Sequence, residues 1–448
     1  MSGLLVAPCL PGASGALPGG PGAGWRILAP MHALLIGSGS RGDFQPMLAL
    51  AVALRRAGHT VTLLASPVFQ GEAEAFGIPF HPCGHDVREV LAQTRERTRT
   101  PLGFVRTLHS IIASEFELQV AHIEPRLRGV DLVVGGGSTM AAHLLADAAG
   151  VPYRYIGYTP QILPSAFHPM LMVPLTRSPR VLNRLLWGAA RRFYNRMMDA
   201  PYNARRAQRG LPREEDLFGA IFPPDKTLLA CDPELMPAPP DLAQVPQVGS
   251  FALPDDRPLP PEVEAFLSDG PPPLYVGFGS MPDEDPASTT RRVLEAARKA
   301  GVRLLLSAGW AGLGEGEALG PSVRVLGPVS HGLLFPRLAG AVHHGGAGTT
   351  AASARAGIPQ LVVPHAFDQF MFAHHVHERG LGPKPLPKRA LTVERLAEGL
   401  RALASDGAMR ERARVTGESI RSREPLRAAV TWLESALPGG EERVARTG

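Results

Sequence analysis

The sequence predicts an α/β fold made of two tandem doubly wound domains, each a parallel sheet wrapped by helices. Three observations support this. From Met31 onward, short apolar runs alternate with helical patterns. The alternation is interrupted by a Pro- and acid-rich stretch, PDDRPLPPEVEAFLSDGPPP at residues 254–273, and then resumes. Glycine (49 residues) and proline (45) are abundant enough to supply many strand-to-helix corners. A chain of 448 residues is also long enough to bury two separate cores.

In chain order, residues 1–30 form a Pro/Gly-rich leader, expected to be disordered. It lacks the basic start and long apolar middle of a secretory signal. Met31 offers an alternative start. The first domain spans 31–253. HALLIGSG reads as a buried strand, residues 44–57 as a helix ended by Gly58, and TVTLLAS, DLVVGGG and YRYIGYT as further strands. Residues 254–273 are a linker with one short helix. The second domain, 274–422, repeats the rhythm with strands LYVGFGS, VRLLLSAG, VRVLGPV, GAVHHGG and QLVVPH. An amphipathic helix follows at 423–437, able to pack on either domain and so to cross back to the first. Residues 438–448 read as a tail. Sheets of this kind bind ligands beyond the carboxyl ends of their strands, so two facing sets of corners define an interdomain cleft.

The net charge of +5 comes from arginines spread along the chain, without lysine-rich tracts or basic–aromatic alternation, so nucleic acid is not an expected partner. Cys9, Cys83 and Cys231 are odd in number and far apart. They make no disulfide framework or metal knuckle, and a reducing, cytoplasmic setting is expected. No run of about 18 apolar residues is available to span a bilayer.

The densest chemistry lies in AVHHGGAGTTAASARAGIPQLVVPHAFDQ, residues 341–369. GAVHHGG ends a strand, and AGTTAASARAG reads as a helix closed by Gly357 and stopped by Pro359. Gly345, Gly346 and Gly348 therefore sit at a helix N-terminus, where bare N–H groups and the helix dipole attract phosphate. Thr349 and Thr350 can cap that helix or donate to a phosphate oxygen, and His344 can donate a ring N–H to the same anion. The alternative is a tight turn with Thr349 as N-cap and two buried histidines. At the next corner QLVVP runs into HAFDQ, placing Asp368 and Gln369 beyond the neighbouring strand. A carboxylate beside an amide combines acceptors with a donor and suits adjacent sugar hydroxyls, although Asp368 can also serve as a helix N-cap. Phosphate donors at one corner and a hydroxyl reader at the next describe a site for a sugar diphosphate. A P-loop is excluded, because no Lys-Ser/Thr follows the glycines. GSGSRG at 37–42 is a poor nicotinamide fingerprint, and the second strand ends in LLAS without an acid.

Together these motifs resemble the donor-binding signature of the nucleotide-diphospho-sugar glycosyltransferases with the GT-B fold. The likeness is nearest to the bacterial antibiotic glycosyltransferases, the sterol glucosyltransferases and the rhamnolipid rhamnosyltransferases. GSGSRGDFQPMLALAVALRRAGHTV is similar to that group's opening strand, loop and helix, and LYVGFGSM and SAGW to its second-domain strands. The resemblance implies that His344, Ala347, Gly348 and Thr349 hold the diphosphate, with Gly346 giving close approach. It assigns the sugar hydroxyls to Asp368 and Gln369, a phosphate contact to Ser280 and the nucleotide pocket to Trp310. Val329, in GPVSH, would read the base through its backbone with His331 nearby. Pro328 stands where plant relatives have tryptophan, and Ala352 where they carry a glutamate for the ribose. The implied carrier is UDP before TDP.

The resemblance further implies inverting transfer of a hexose with no metal and no cofactor, the helix N-terminus taking the cation's electrostatic part. Asp43, in GSRGD, would be the base that deprotonates the acceptor hydroxyl. Arg41 and the helix dipole are expected to lower its pKa, and Asp43 also suits an N-cap. Ser40 and Arg41 are alternative contacts to the donor phosphates. The Asp-x-Asp in PDEDP (282–286) is expected to be solvated acids and a cap. YTPQILPSAFHPMLMVPL, poor in charge and rich in methionine and proline, reads as an adaptable apolar pocket, pointing to a sterol, polyketide, macrolide or lipid acceptor. RVLNRLLWGAARRFYNRM (180–197) places apolar residues at 182, 185, 186, 189, 193 and 197 between arginines. A packed helix with a solvated basic face is expected there, with weak peripheral membrane contact as the alternative. The alternative to an enzyme is a catalytically silent nucleotide-sugar-binding partner of another glycosyltransferase.

Overall fold

The computed structural model describes residues 30–86 and 101–437; the expected leader, up to residue 29, and the tail from 438 lie outside them. The first unit contains β1 (His32–Ser38), α1 (Arg41–Arg56), β2 (Thr60–Ala65), α2 (Gln70–Ala75), β3 (Phe80–Pro82), α3 (Pro101–Ile123), β4 (Leu132–Gly137), α4 (Ala142–Ala149), β5 (Tyr153–Gly157), α5 (Arg180–Ala207), α6 (Leu217–Ile221) and β6 (Thr227–Leu229). The second contains α7 (Pro261–Ser268), β7 (Leu274–Gly277), α8 (Pro286–Ala300), β8 (Leu304–Ser307), β9 (Val323–Leu326), α9 (His331–Leu334), β10 (Gly340–His343), α10 (Ala347–Ala356), β11 (Gln360–Val362), α11 (Gln369–Glu378), α12 (Val393–Ser405) and α13 (Gly407–Arg421). The last helix is α14 (Pro425–Glu434).

Both sheets are parallel, ordered β3-β2-β1-β4-β5-β6 and β11-β10-β7-β8-β9. Each winds outward from its first strand in both directions, so the order reverses between β1 and β4 and again between β7 and β10. Ligands of such sheets sit at these reversals. The run ALLI in β1 shows why these strands read as continuous apolar text. Ala33 and Leu35 enter the core on one face, Leu34 and Ile36 the core on the other. Successive side chains of a strand point to opposite faces, so a sheet covered on both sides needs every position apolar. Burying each of the larger ones is worth about 2 kcal/mol.

Strands β3 and β6, each three residues long, were not foreseen, because neither is long enough to show a period. Helix α1 begins at Arg41, three residues before the expected start, because Ser40 caps it: its side chain accepts from the Gly42 N–H. The face of α5 also differs from expectation. Asn183, Trp187, Met198 and Tyr202 are buried, while Leu182, Leu185 and Phe193 of the expected packing stripe are exposed. Hydrogen bonds from Asn183 Nδ2 to the Ala166 carbonyl and from Trp187 Nε1 to the His168 carbonyl choose this face. Polar groups that must be satisfied when buried have overridden the leucine stripe.

Two features tie the domains together. Helix α14 returns to the first domain, where Ala429, Val430 and Leu433 complete the core under α1 and Glu434 accepts from or pairs with His59 Nε2 at 3.1 Å, both buried. Leu235 and Met236, from the segment after β6, are buried among residues of α10, α11 and α13. Among the described residues no helix is long and apolar enough to cross a membrane.

Candidate active site

The carboxyl ends of the two sheets face each other. The charge of Asp43, after β1, helps raise the pKa of Asp368, after β11, and that of Arg41 helps lower the pKa of His331, after β9. Expected site residues of the two domains therefore lie within electrostatic reach of one another across one cleft.

Asp43 occupies the third position of α1, and Ser40 the cap. Its Oδ2 accepts from the Ser40 backbone N–H at 2.7 Å and from Ser40 Oγ at 3.1 Å. Tyr158, which no local pattern singles out, donates its hydroxyl to the Asp43 carbonyl at 3.0 Å. The carboxyl lies at the first reversal point: a Cβ on Gly39 or Gly137, both at positive φ, would stand 2.3 Å from Asp43 Oδ2 or 2.7 Å from Oδ1. Only glycine leaves the carboxyl room there. The expectation that Arg41 and the helix dipole lower its pKa is corrected. Enclosure raises the carboxyl to about 6, against the two Ser40 donors that pull it down. Arg41 turns away to pair with Glu72 at 3.0 Å. The Ser40 hydroxyl is likewise committed to the cap.

His344 occupies the second reversal point. It is 9 % exposed, and its ring lies against Gly279, where a Cβ would stand 2.8 Å from Cε1, and Gly346, where a Cβ would stand 2.4 Å from Nε2. Its Nδ1 is buried without a hydrogen-bond partner. Burial depresses its pKa to about 3, so the ring is neutral. The neighbouring His343 is fixed instead: Nδ1 accepts from the Gly345 N–H at 3.0 Å, which leaves Nε2 to donate to Gln360 Oε1 at 2.8 Å. Helix α10 starts beside His344 with Gly346 as its N-cap and no side-chain cap, so Thr349 is not the cap. Ala347, Gly348 and Thr349 form its first turn, whose N–H groups have no intrahelical acceptor. Thr350 Oγ1 bonds back to the Gly346 carbonyl at 2.9 Å, which removes it from the phosphate role. A Cβ on Gly348 would meet nothing within 4 Å.

Asp368 stands at the N-cap position of α11, yet its side chain makes no cap bond. Enclosure, then the Asp43 charge, raise it to about 7. The preceding Phe367 has φ +56, the one non-glycine at positive φ among the described residues, a strained turn that aims Asp368. Gln369 is buried; its Oε1 accepts from the His365 and Ala366 N–H groups at 2.8 and 3.0 Å, while Nε2 donates to Met281 Sδ at 3.4 Å. Its carbonyl is thus used to close the loop, leaving only the amide donor for a ligand.

The remaining expected positions belong to the second domain. Ser280 follows Gly279 in the turn after β7, and the Trp310 backbone N–H donates to the Gly279 carbonyl at 2.9 Å. Val329 packs on the second-domain core, and His331 stacks on Phe335 at 4.3 Å between ring centroids. In PDEDP, Asp285 is the expected cap, accepting from the Ser288 N–H at 2.9 Å. Asp283 is not solvated: its carboxylate is nearly buried against Lys388. Among the described residues no three of His, Cys, Asp and Glu gather as metal ligands would.

Two Rossmann-like parallel-sheet domains with facing reversal points, one of them carrying a bare helix N-terminus, have the architecture of the GT-B fold. Residues 33–153 match the glycosyltransferase family 28 N-terminal domain, and residues 310–431 the C-terminal domain of erythromycin biosynthesis protein CIII-like proteins. The dTDP-epi-vancosaminyltransferase of Amycolatopsis orientalis is 37 % identical over 79 % of this chain and 85 % of its own. A sterol 3-beta-glucosyltransferase of Arabidopsis thaliana is 31 % identical over 84 % of this chain and 63 % of its own. The crystal structure of glycosyltransferase VinC in complex with dTDP superposes with a TM-score of 0.65 at 21 % identity, over 93 % of this chain and all of that one. The chain belongs to this glycosyltransferase family, which includes antibiotic and sterol enzymes.

Proposed function

We propose that this glycosyltransferase inverts the transferred sugar, needs no metal ion, and moves a hexose from a nucleoside diphosphate to a hydroxyl of a hydrophobic small molecule, a natural-product aglycone or a sterol. The observation that carries the reading is the unpartnered His344 Nδ1 beside the bare first turn of α10, with Asp368 within electrostatic reach of Asp43 from the other domain.

Each group has one task. The N–H groups of Ala347, Gly348 and Thr349 and the dipole of α10 hold the diphosphate, supplying the positive potential a cation would otherwise bring. His344, neutral when the cleft is empty, donates its ring N–H to the same anion. Asp368 accepts from a sugar hydroxyl and the Gln369 amide donates to another. Both Ser40 donors occupy Oδ2 of Asp43, which leaves Oδ1 to take the proton from the acceptor. As the proton leaves, the acceptor oxygen bonds to the anomeric carbon, and the bond from that carbon to the diphosphate breaks on the opposite face. The electron pair departs with the phosphate oxygen. A base with a pKa of about 6 is ionised at neutral pH and basic enough to assist.

Ala352 offers no carboxylate to a ribose, and a relative's name specifies a dTDP sugar. These support a thymidine carrier over the uridine carrier expected first. The apolar segment 158–175 supports a greasy acceptor, as does the sterol named in another relative. Purified protein incubated with UDP- and dTDP-sugars, then with a panel of hydrophobic alcohols and chelator, tests all parts. Transfer by the protein alone, with inverted anomeric configuration and in the presence of EDTA, is the expected result. Donor binding without turnover would leave a silent partner protein; loss of turnover on chelation would refute the metal-free reading.

A further inference from the structure

The outward face of α5 carries none of the residues assigned to the cleft chemistry, and among the described residues it gathers four exposed large apolar side chains. Val181 and Leu185 are 65 % and 66 % exposed, Leu182 39 % and Phe193 50 %. At 100° per residue these four fall within one-third of the helix circumference, opposite the buried Asn183, Trp187 and Met198. Phe167, Met172 and Leu175 of the preceding loop are exposed as well. That loop is tied to the helix: Ser178 Oγ donates to Asn183 Oδ1 at 2.5 Å, and the Arg180 guanidinium lies 4.2 Å from the Phe167 ring centroid. A contiguous apolar patch of this kind on a monomer marks a contact surface.

Its charge selects the partner. Residues 180–198 contain five arginines and no acid. Arg191 is held by Asp216, but among the described residues Arg184, Arg192 and Arg196 form no ion pair with a carboxylate. Arg192 and Arg196 project from the same face as Leu185 and Phe193, and Arg184 from its edge. A second copy of this chain would bring like charges together across a two-fold contact. An anionic bilayer satisfies both halves of the pattern, the leucines and phenylalanine entering the acyl boundary while the guanidinium groups meet headgroup phosphates.

We propose that α5 is an in-plane docking surface for anionic lipid, on which the Val181–Leu185–Phe193 face seats and to which Arg184, Arg192 and Arg196 give charge preference. The patch adjoins the 158–175 segment that we read as the acceptor side, but the substituted residues lie on α5 outside that segment and vesicle binding needs neither donor nor acceptor. Full-length protein is sedimented with vesicles of phosphatidylcholine alone and with phosphatidylglycerol added, at low and high salt. Retention on the anionic vesicles, weakened by salt, is expected. Arg192→Gln with Arg196→Gln should weaken it about fivefold per arginine, and Val181→Glu with Leu185→Glu should abolish it, both with unchanged Tm. Equal retention on neutral vesicles, or retention of either variant at the wild-type level, overturns the proposal. So does a concentration-dependent dimer that the double glutamate variant dissolves, since the face would then belong to a second copy.

Discussion

Replacing Ser40 by alanine separates a catalytic Asp43 from one that merely begins a helix. The Ser40 hydroxyl donates to Asp43 Oδ2 at 3.1 Å and favours the ionised form; the backbone N–H at 2.7 Å is untouched by the substitution. A hydrogen bond to a charged acceptor is worth about 1.5 kcal/mol at the weak end of its range, which suits this length. One pKa unit corresponds to about 1.4 kcal/mol, so Asp43 should move up by about one unit. Burial already holds it at about 6, and the variant should titrate near 7. The base works ionised, so kcat/KM falls as pH drops through its pKa. The acid limb of the pH–rate profile should therefore shift upward by about one unit, with about a fivefold loss at pH 6 and little at pH 8.5. Stability follows the linked sign. A carboxyl raised on folding binds its proton more tightly in the native state, so stability falls as pH rises from 3.8 to about 6, and in the variant on to about 7. Loss of the cap costs a further ~1 kcal/mol at every pH. Ser40→Thr, which keeps the hydroxyl, should restore the profile. A limb that stays in place while rates fall uniformly would show that Asp43 is not the titrating base.

Four other substitutions probe the remaining assignments. Asp43→Asn keeps an acceptor for Ser40 and should lower transfer by about 10²- to 10⁴-fold while nucleotide affinity by calorimetry is unchanged; wild-type turnover would remove Asp43 from the mechanism. His344→Ala should weaken nucleoside diphosphate binding by about 10- to 100-fold with little change in Tm, and unchanged affinity would return His344 to the core. Gly348→Ala meets open space and should leave Tm intact or slightly higher; about tenfold weaker nucleotide binding is expected if phosphate approaches there. Glu434→Ala removes the buried partner of His59 and should cost about 2 kcal/mol, read as a lower unfolding midpoint and faster hydrogen exchange in α14.

Legibility in the sequence tracked local pattern. Nine strands showed because their apolar runs were long enough and bounded by glycine or proline. The α10 corner showed because Gly357 and Pro359 punctuate it, and its C-cap glycine indeed sits at φ +75. What depended on distant residues did not show. The raised pKa of Asp43 comes from enclosure by residues far away in sequence, whereas Arg41, two positions before it, turns to Glu72. The sequence offers Gln369 as a ligand group, but its carbonyl closes a turn by accepting from the His365 and Ala366 N–H groups. The buried face of α5 is chosen by Asn183 and Trp187 because loop carbonyls await them, a fact no helical wheel contains.

The return of α14 has a bearing on how the molecule is made. Ala429, Val430 and Leu433 are wedged beneath α1, a helix synthesised almost 400 residues earlier. The first domain thus holds an open apolar seam until α14 has been made, and the second domain can finish folding before the first is sealed.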